Sequence, residues 1–203
     1  MSSRIIITIE RDFGADGHEI GLQLSHLLNM TLYDKDILHK AAVKRGIGDS
    51  SLVFADEKVT NDNLNSIFPN SIFTKSSDKL FQIEKEIIRD LAESESCIIV
   101  GRLSDYILRN KENLIKVYIT APLEFRIKNI QEKYNSSYND SKKLVRKMDL
   151  VRRNYRKYYS NDKYNLYSNK SIVLNRDDFT ISECVGILKN VVYLKNNNTY
   201  KEV

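Results

Sequence analysis

Apolar residues along this chain come in short blocks separated by polar turns. Ile5 to Ile9 is too short for a helix and rich in β-branched residues, the pattern of a strand buried on both faces of a parallel sheet. A turn carrying Gly14 and Gly17 follows, and then Ile20, Leu24, Leu27 and Leu28 recur at helical spacing. Thr31-Leu32-Tyr33 predicts a second strand, and Asp34-Lys35-Asp36 caps a helix from about Ile37 to Lys44, stopped by Gly46-Ile47-Gly48. From Asp49 to Ser77 the period is lost. Asn, Ser and Asp are dense there and Pro69 interrupts, as in an irregular, partly helical lid or binding loop.

Helical spacing returns with Leu80, Ile83, Ile87 and Leu91, predicting a helix from Asp78 to Ser94. Cys97-Ile98-Ile99-Val100 is a buried strand broken by Gly101-Arg102. A short helix, about Ser104 to Arg109, leads to a strand from Ile115 to Thr120. Pro122 opens a helix bearing Leu123, Ile127 and Ile130 at a first-turn position, where its missing N–H costs nothing. A long helix from about Asp140 to Tyr159 sets Leu144, Met148, Val151, Tyr155 and Tyr158 on one stripe. Ser171 to Leu174 is the last strand and Ile181 to Leu194 the last helix, leaving a polar, frayed tail over 195–203.

Five strands alternating with helices predict an α/β fold, a parallel sheet covered on both faces by right-handed crossovers. Ligands in such sheets bind beyond the carboxyl ends of the strands, which makes neighbours of Phe13–Glu19, Asp34, Gly101–Asp105 and Ala121. With 203 residues and no repeat or flexible linker, one domain over 1–194 is the economical reading.

Hydrophobic residues at 41% and charged residues at 29% are ordinary for a soluble globular protein. No apolar run approaches the roughly 20 residues of a membrane span. The chain enters its first strand without a basic, apolar and cleavage-site sequence, so secretion is not expected. Cys97 and Cys184 each lie in an apolar segment and read as reduced core residues of a cytoplasmic protein. The net charge of +5 suits a ligand with several phosphates, and nucleic acid as well. Eight of the basic residues fall between Lys142 and Lys157 against one acid, Asp149.

Three places could carry chemistry. Strand, glycine turn and helix present backbone N–H groups and a helix N-terminus to phosphate. Measured against the phosphate-loop pattern of glycine, four residues, glycine, lysine and serine or threonine, Asp12 replaces the first glycine, His18 the lysine and Glu19 the hydroxyl. On the long helix, Asp149, Arg152, Arg153 and Arg156 share one face opposite the apolar stripe, with Asp149 placed to orient Arg152 or Arg153. Arginine holds phosphate bidentately and suits charge on a transferring phosphoryl group, although a solvated face fits the same pattern. Gly101-Arg102 stands directly after a buried strand, where a substrate-binding arginine belongs. His18, His26 and His39 lack metal-ligand spacing. Tyr155, Tyr158, Tyr159, Tyr164 and Tyr167 fit base stacking, core packing or a lid equally.

These pieces together resemble the cytidylate kinase-like family, a branch of the P-loop nucleoside monophosphate kinases. The resemblance runs from Arg4 to about Leu194. It rests on Ile7-Thr8-Ile9-Glu10-Arg11-Asp12-Phe13-Gly14-Ala15-Asp16-Gly17-His18-Glu19-Ile20, on Tyr33-Asp34-Lys35 and on Ile98-Ile99-Val100-Gly101-Arg102. It continues through Val117-Tyr118-Ile119-Thr120-Ala121-Pro122 and Arg126 to Asp149-Leu150-Val151-Arg152-Arg153-Asn154-Tyr155 and Tyr158-Tyr159.

The resemblance implies a three-layer α/β/α, P-loop NTPase-like fold and phosphoryl transfer from ATP, with Mg2+, to a nucleoside monophosphate such as CMP or dCMP, or to another small phosphorylated acceptor. Gly14, Ala15, Asp16, Gly17, His18 and Glu19 would wrap the ATP phosphates. Asp34, Arg102, Asp105, Asp149 and Arg156 would face the acceptor, and Arg11, His18, Arg152 and Arg153 form the expected catalytic set. The 49–77 excursion falls where such kinases carry their monophosphate-binding insertion, and family analogy points to a homodimer.

The family branch reads serine-glycine-glycine-arginine where this chain reads Ala15-Asp16-Gly17-His18. Asp16 sets a carboxylate in a cradle for anions, and like charges at about 4 Å repel by several kcal/mol at intermediate dielectric. Arg11 is the candidate for the missing positive charge, and Glu19 or Asp12 for contact with magnesium. Two other readings stand beside the kinase: a nucleotide- or phosphate-binding protein with a regulatory role and no catalysis, and, less favoured, a nucleic-acid-binding protein using the Lys142–Lys157 face.

Overall fold

The computed structural model describes residues 4–44, 75–160 and 166–197. Five parallel strands form one sheet in the order β2-β3-β1-β4-β5. They are β1 (Ile6–Arg11), β2 (Thr31–Tyr33), β3 (Cys97–Val100), β4 (Leu114–Thr120) and β5 (Ile172–Asn175). β1 lies in the middle, with Ile9 opposite both Val100 and Val117. Its residues alternate between the two faces, and the buried run Ile6–Ile9 is apolar apart from Thr8 because both faces are covered. Helices cover both faces of the sheet, which is the parallel α/β arrangement that the alternation of elements predicts and the three layers that the family resemblance implies.

One face packs Ile5, Ile7 and Ile9 against α1 (Gly17–Leu28) and α7 (Ile181–Asn197) through Ile20, Leu24, Cys184 and Leu188. The other packs Ile6, Cys97 and Ile99 against α2 (Lys35–Lys44), α3 (Lys75–Ser94) and α4 (Ser104–Ile107) through Leu38, Phe81, Ile88 and Leu103. Cys97 and Cys184 are free and buried, as expected of core residues. Burial pushes the Cys97 thiol up to about 12.

A third apolar cluster, Ile127, Ile130 and Val145, joins α5 (Leu123–Tyr134) to α6 (Tyr138–Ser160). The far end of α6 belongs to another neighbour: Tyr159 stacks on Phe81 of α3 at 3.9 Å and Tyr155 meets the same ring edge-on at 6.1 Å. The helix is therefore a strut from α5 to α3, and its middle passes the carboxyl ends of the strands. Tyr158, expected on the apolar stripe, is 48% exposed and bonds Asp78.

Several boundaries differ from those read in the pattern. α6 begins at Tyr138 because the Ser137 hydroxyl accepts the Asp140 amide at 3.2 Å, capping the helix two residues earlier. α3 begins at Lys75, inside the stretch read as irregular, and α4 ends at Ile107. Pro122 is the N-cap of α5, immediately before its first turn. α7 runs on to Asn197, three residues into the expected tail. The rest of the 49–77 excursion, Tyr164 and residues 198–203 lie outside the described residues. No described helix is long and apolar enough to cross a membrane.

α1 can settle on the sheet because Gly21 has no side chain. A Cβ there would stand 3.1 Å from Val100 and 3.3 Å from Ile9 and Leu32. Gly21→Leu should cost about 1–3 kcal/mol by overpacking, read as a lower urea midpoint at unchanged slope.

Candidate active site

The loop from β1 to α1 turns twice through left-handed backbone, at Gly14 (φ 84°) and Asp16 (φ 57°). Asp16 is the N-cap of α1 but makes no side-chain cap bond. The Ala15 amide closes on the Asp12 carbonyl and the Ile20 amide on that of Asp16. Among the described residues, the amides of Gly14, Asp16, Gly17, His18 and Glu19 meet no backbone acceptor. Donors at a helix N-terminus with no protein partner form a nest for an anion.

This backbone is held from outside. Asp149 of α6 accepts the Phe13 amide at 3.1 Å, and its other oxygen pairs with Arg126 of α5 at 2.6 Å. Arg126 also donates to the Phe13 and Ala121 carbonyls. Arg152 donates to the Arg11 carbonyl at 3.2 Å and lies over the Phe13 ring. The Asp12 carboxylate accepts the hydroxyls of Tyr118 at 2.7 Å and Thr120 at 2.6 Å, which fastens the loop to β4.

Asp149 therefore does not orient Arg152 or Arg153, the role its helical spacing implied. It reaches instead the buried guanidinium of Arg126 on α5 and the Phe13 amide of the loop. Arg153 stays exposed, as expected of that face. Arg156 does not project away from the core: its side chain is 12% exposed and reaches Asp105 at 3.4 Å and Glu10 at 3.5 Å.

Around Arg156 lies a network that the pattern did not reveal. Glu10 and Asp105 face Arg156 and Lys170, with Lys170 ion-paired to Asp105 and no Asp105 surface exposed. Burial, reinforced by Asp105, raises the Glu10 carboxyl above its usual range. Burial likewise lowers the Lys170 ammonium, against the pull of Asp105 and Glu10. Among the described residues its two carboxylates face two cations.

Arg11, the last residue of β1, lies between α1 and β3. A Cβ at Gly17 would stand 2.7 Å from its own Cβ, and one at Gly101 would collide with its guanidinium. Glycine at both positions opens that lane. Gly101, Arg102 and Leu103 are all left-handed (φ 79°, 59° and 55°), a conformation that costs non-glycine residues free energy. The turn aims Arg102 at Glu84 of α3, 2.8 Å away and 1% exposed, with the Tyr155 ring 5.8 Å from the guanidinium.

His18 and Asp34 meet at 3.0 Å beside the loop. Asp34 also caps α2 through the Ile37 amide, and despite burial these bonds hold its carboxyl below the usual range. Glu19 accepts from Gln23 on the exposed side of α1. The sequence reading did not single out Glu84, Asn129, Lys170 and Arg176. Only Glu84 left a signal, a charge at an apolar position of α3.

The cytidylate kinase-like family matches residues 6–178. The chain belongs to that family. Among solved structures, an uncharacterized protein from Eubacterium ventriosum superposes with a TM-score of 0.72 at 22% identity, covering 93% of this chain and 98% of that one. A gluconokinase from Sinorhizobium meliloti gives 0.57 at 11% identity, covering 100% of both chains. Shikimate kinase from Acinetobacter baumannii, solved with shikimate, gives 0.54 at 12% identity, covering 98% of this chain and 97% of that one. At these identities the likeness is one of fold. No curated protein sequence matches the chain.

Asp149→Ala should cost about 3 kcal/mol or more in chemical denaturation, because it leaves Arg126 buried without its anion. A loss under about 1 kcal/mol would remove Asp149 from the loop's support. Asp34 has a depressed folded pKa, so its stabilisation is complete above the unfolded value of 3.8 and is lost as pH falls from there through the lower folded value. Asp34→Asn should therefore lower the midpoint at pH 7, and the difference from wild type should shrink progressively as the pH is taken below 3.8.

Proposed function

We propose that this chain is an ATP-dependent kinase whose acceptor is a nucleoside monophosphate of the CMP or dCMP kind. The observation that carries this reading is the run of acceptorless amides at the start of α1, with Arg152 of α6 lying against the same loop. The amides of Gly14–Glu19 and the α1 dipole hold the triphosphate. Arg11, Arg152 and Arg153 offset charge gathering on the transferring group, which stays ionised throughout. The bound nucleotide supplies the phosphoryl group.

His18 stands where the pattern has lysine, and when protonated it donates to phosphate on one side while Asp34 accepts on the other. Asp34 and Arg102 lie at the ends of β2 and β3, on the acceptor side, and Asp149 keeps the loop in register. Arg156 and Asp105, expected to face the acceptor, are instead buried against each other in the network with Glu10 and Lys170. Among the described residues no three His, Cys, Asp or Glu side chains could hold a metal ion. Mg2+ would be carried on the nucleotide phosphates and mostly hydrated, with Glu19, which stands at the hydroxyl position of the phosphate-loop pattern, the residue to meet it.

A second reading, phosphate or nucleotide binding without turnover, is favoured by the replaced lysine and hydroxyl at His18 and Glu19. Calorimetry with ATP and Mg2+, followed by transfer assays with CMP and dCMP, separates the two. The kinase reading expects micromolar binding and turnover. Arg152→Ala should lower turnover about 100-fold or more while changing ATP affinity less than about tenfold. Saturable binding with no transfer to any monophosphate would establish the second reading instead.

A further inference from the structure

The loop's departure from its family carries a built-in compensation. Asp16 sits at the N-cap of α1, where a carboxylate opposes an incoming polyphosphate. Both of its oxygens are already engaged. One accepts from Asn129 of α5 at 2.6 Å, and the other pairs with the Arg176 guanidinium at 3.2 Å. The same Asn129 nitrogen donates to the Gly14 carbonyl at 2.9 Å, so carboxylate and loop backbone are held together.

Arg176 is itself fixed. Its amide donates to the Thr120 carbonyl at 2.8 Å, its guanidinium to the Phe179 carbonyl at 2.6 Å, and the Phe125 ring lies 5.4 Å from the guanidinium carbon. Its side chain is 17% exposed and that of Asp16 20%, so solvent screens the pair only in part. Asp is also among the few residues that tolerate the left-handed backbone found at position 16.

We propose that Arg176 is a positioning residue of the phosphate site. It cancels the Asp16 charge and, with Asn129, keeps that carboxylate on the α5 and β5 side of the loop. The amides of Gly14–Glu19 then receive polyphosphate without an opposing charge. The inference rests on the phosphate-binding reading of this loop and assigns a part of that site to the turn after β5.

A double-mutant cycle tests it, with calorimetric affinities for ATP plus Mg2+ and for inorganic tripolyphosphate, which has no base. Arg176→Gln should weaken both probes about tenfold, about 1.4 kcal/mol, by releasing the Asp16 charge. In an Asp16→Asn background the same change should shift either affinity less than about threefold. Arg176→Lys, which keeps the charge, should recover most of the wild-type affinity, and thermal melts establish that each variant is folded.

An equal loss in the Asp16→Asn background would overturn the inference and place Arg176's effect in its Phe179 and Phe125 contacts. Loss for ATP but not for tripolyphosphate would also overturn it, because the residue would then act on the base. If neither wild type nor Asp16→Asn binds either probe, the phosphate-binding reading fails and takes this inference with it.

Discussion

The Arg126–Asp149 ion pair holds the loop on which everything else at the carboxyl edge of the sheet depends. An anion-binding loop faces two opposed demands. Its amides must stay without protein acceptors, yet its backbone must be rigid enough to present them together. Here the rigidity comes from groups that leave those amides alone. Arg126, Arg152 and Asn129 take the carbonyls of Phe13, Arg11 and Gly14, and Asp149 takes the Phe13 amide at the loop's edge. Truncating any of them would leave a partner charge or carbonyl behind, which is why a rigid loop of this kind is sensitive to residues distant in sequence.

α6 supplies two of those groups and explains how they are delivered. Packed on α5 at one end and on Phe81 of α3 at the other, it cannot roll without breaking apolar contacts at both. Asp149, Arg152 and Arg156 come off successive turns and land on three different targets beneath it. A buried network such as Glu10, Asp105, Arg156 and Lys170 adds little net stability over an apolar core of the same shape. Its consequence is orientation, since each charge has one place where it is matched.

Much of the fold was legible in the chain. Five apolar runs alternated with helical spacing, and five strands form, because period and burial are local properties that any sheet of this kind must satisfy. Helix ends were read less well. Ser137 resembles ordinary loop chemistry until its hydroxyl is seen capping α6, and the start of α3 lay in a stretch with no clear period. At the site, positions were read better than partners. The rule that ligands gather at strand ends placed Asp34, His18 and the loop in one neighbourhood, and His18 and Asp34 are in contact. Helical spacing predicted the wrong partner for Asp149 and the wrong environment for Arg156, because i, i+4 geometry ranks neighbours on one helix and knows nothing of charges on others.

By itself the sequence determined the class of architecture, the buried strands, the glycine-bearing turn after the first of them and the family to which these motifs belong. Each follows from properties of a residue and its near neighbours: β-branching, period, backbone freedom and capping. Only the tertiary structure decided which charges meet. That Asp16 answers to Arg176, 160 positions away in the chain, and Arg102 to Glu84, depends on strand order and helix packing. Electrostatic energy varies with distance through space in a low-dielectric interior, and the chain's linear order does not encode that distance.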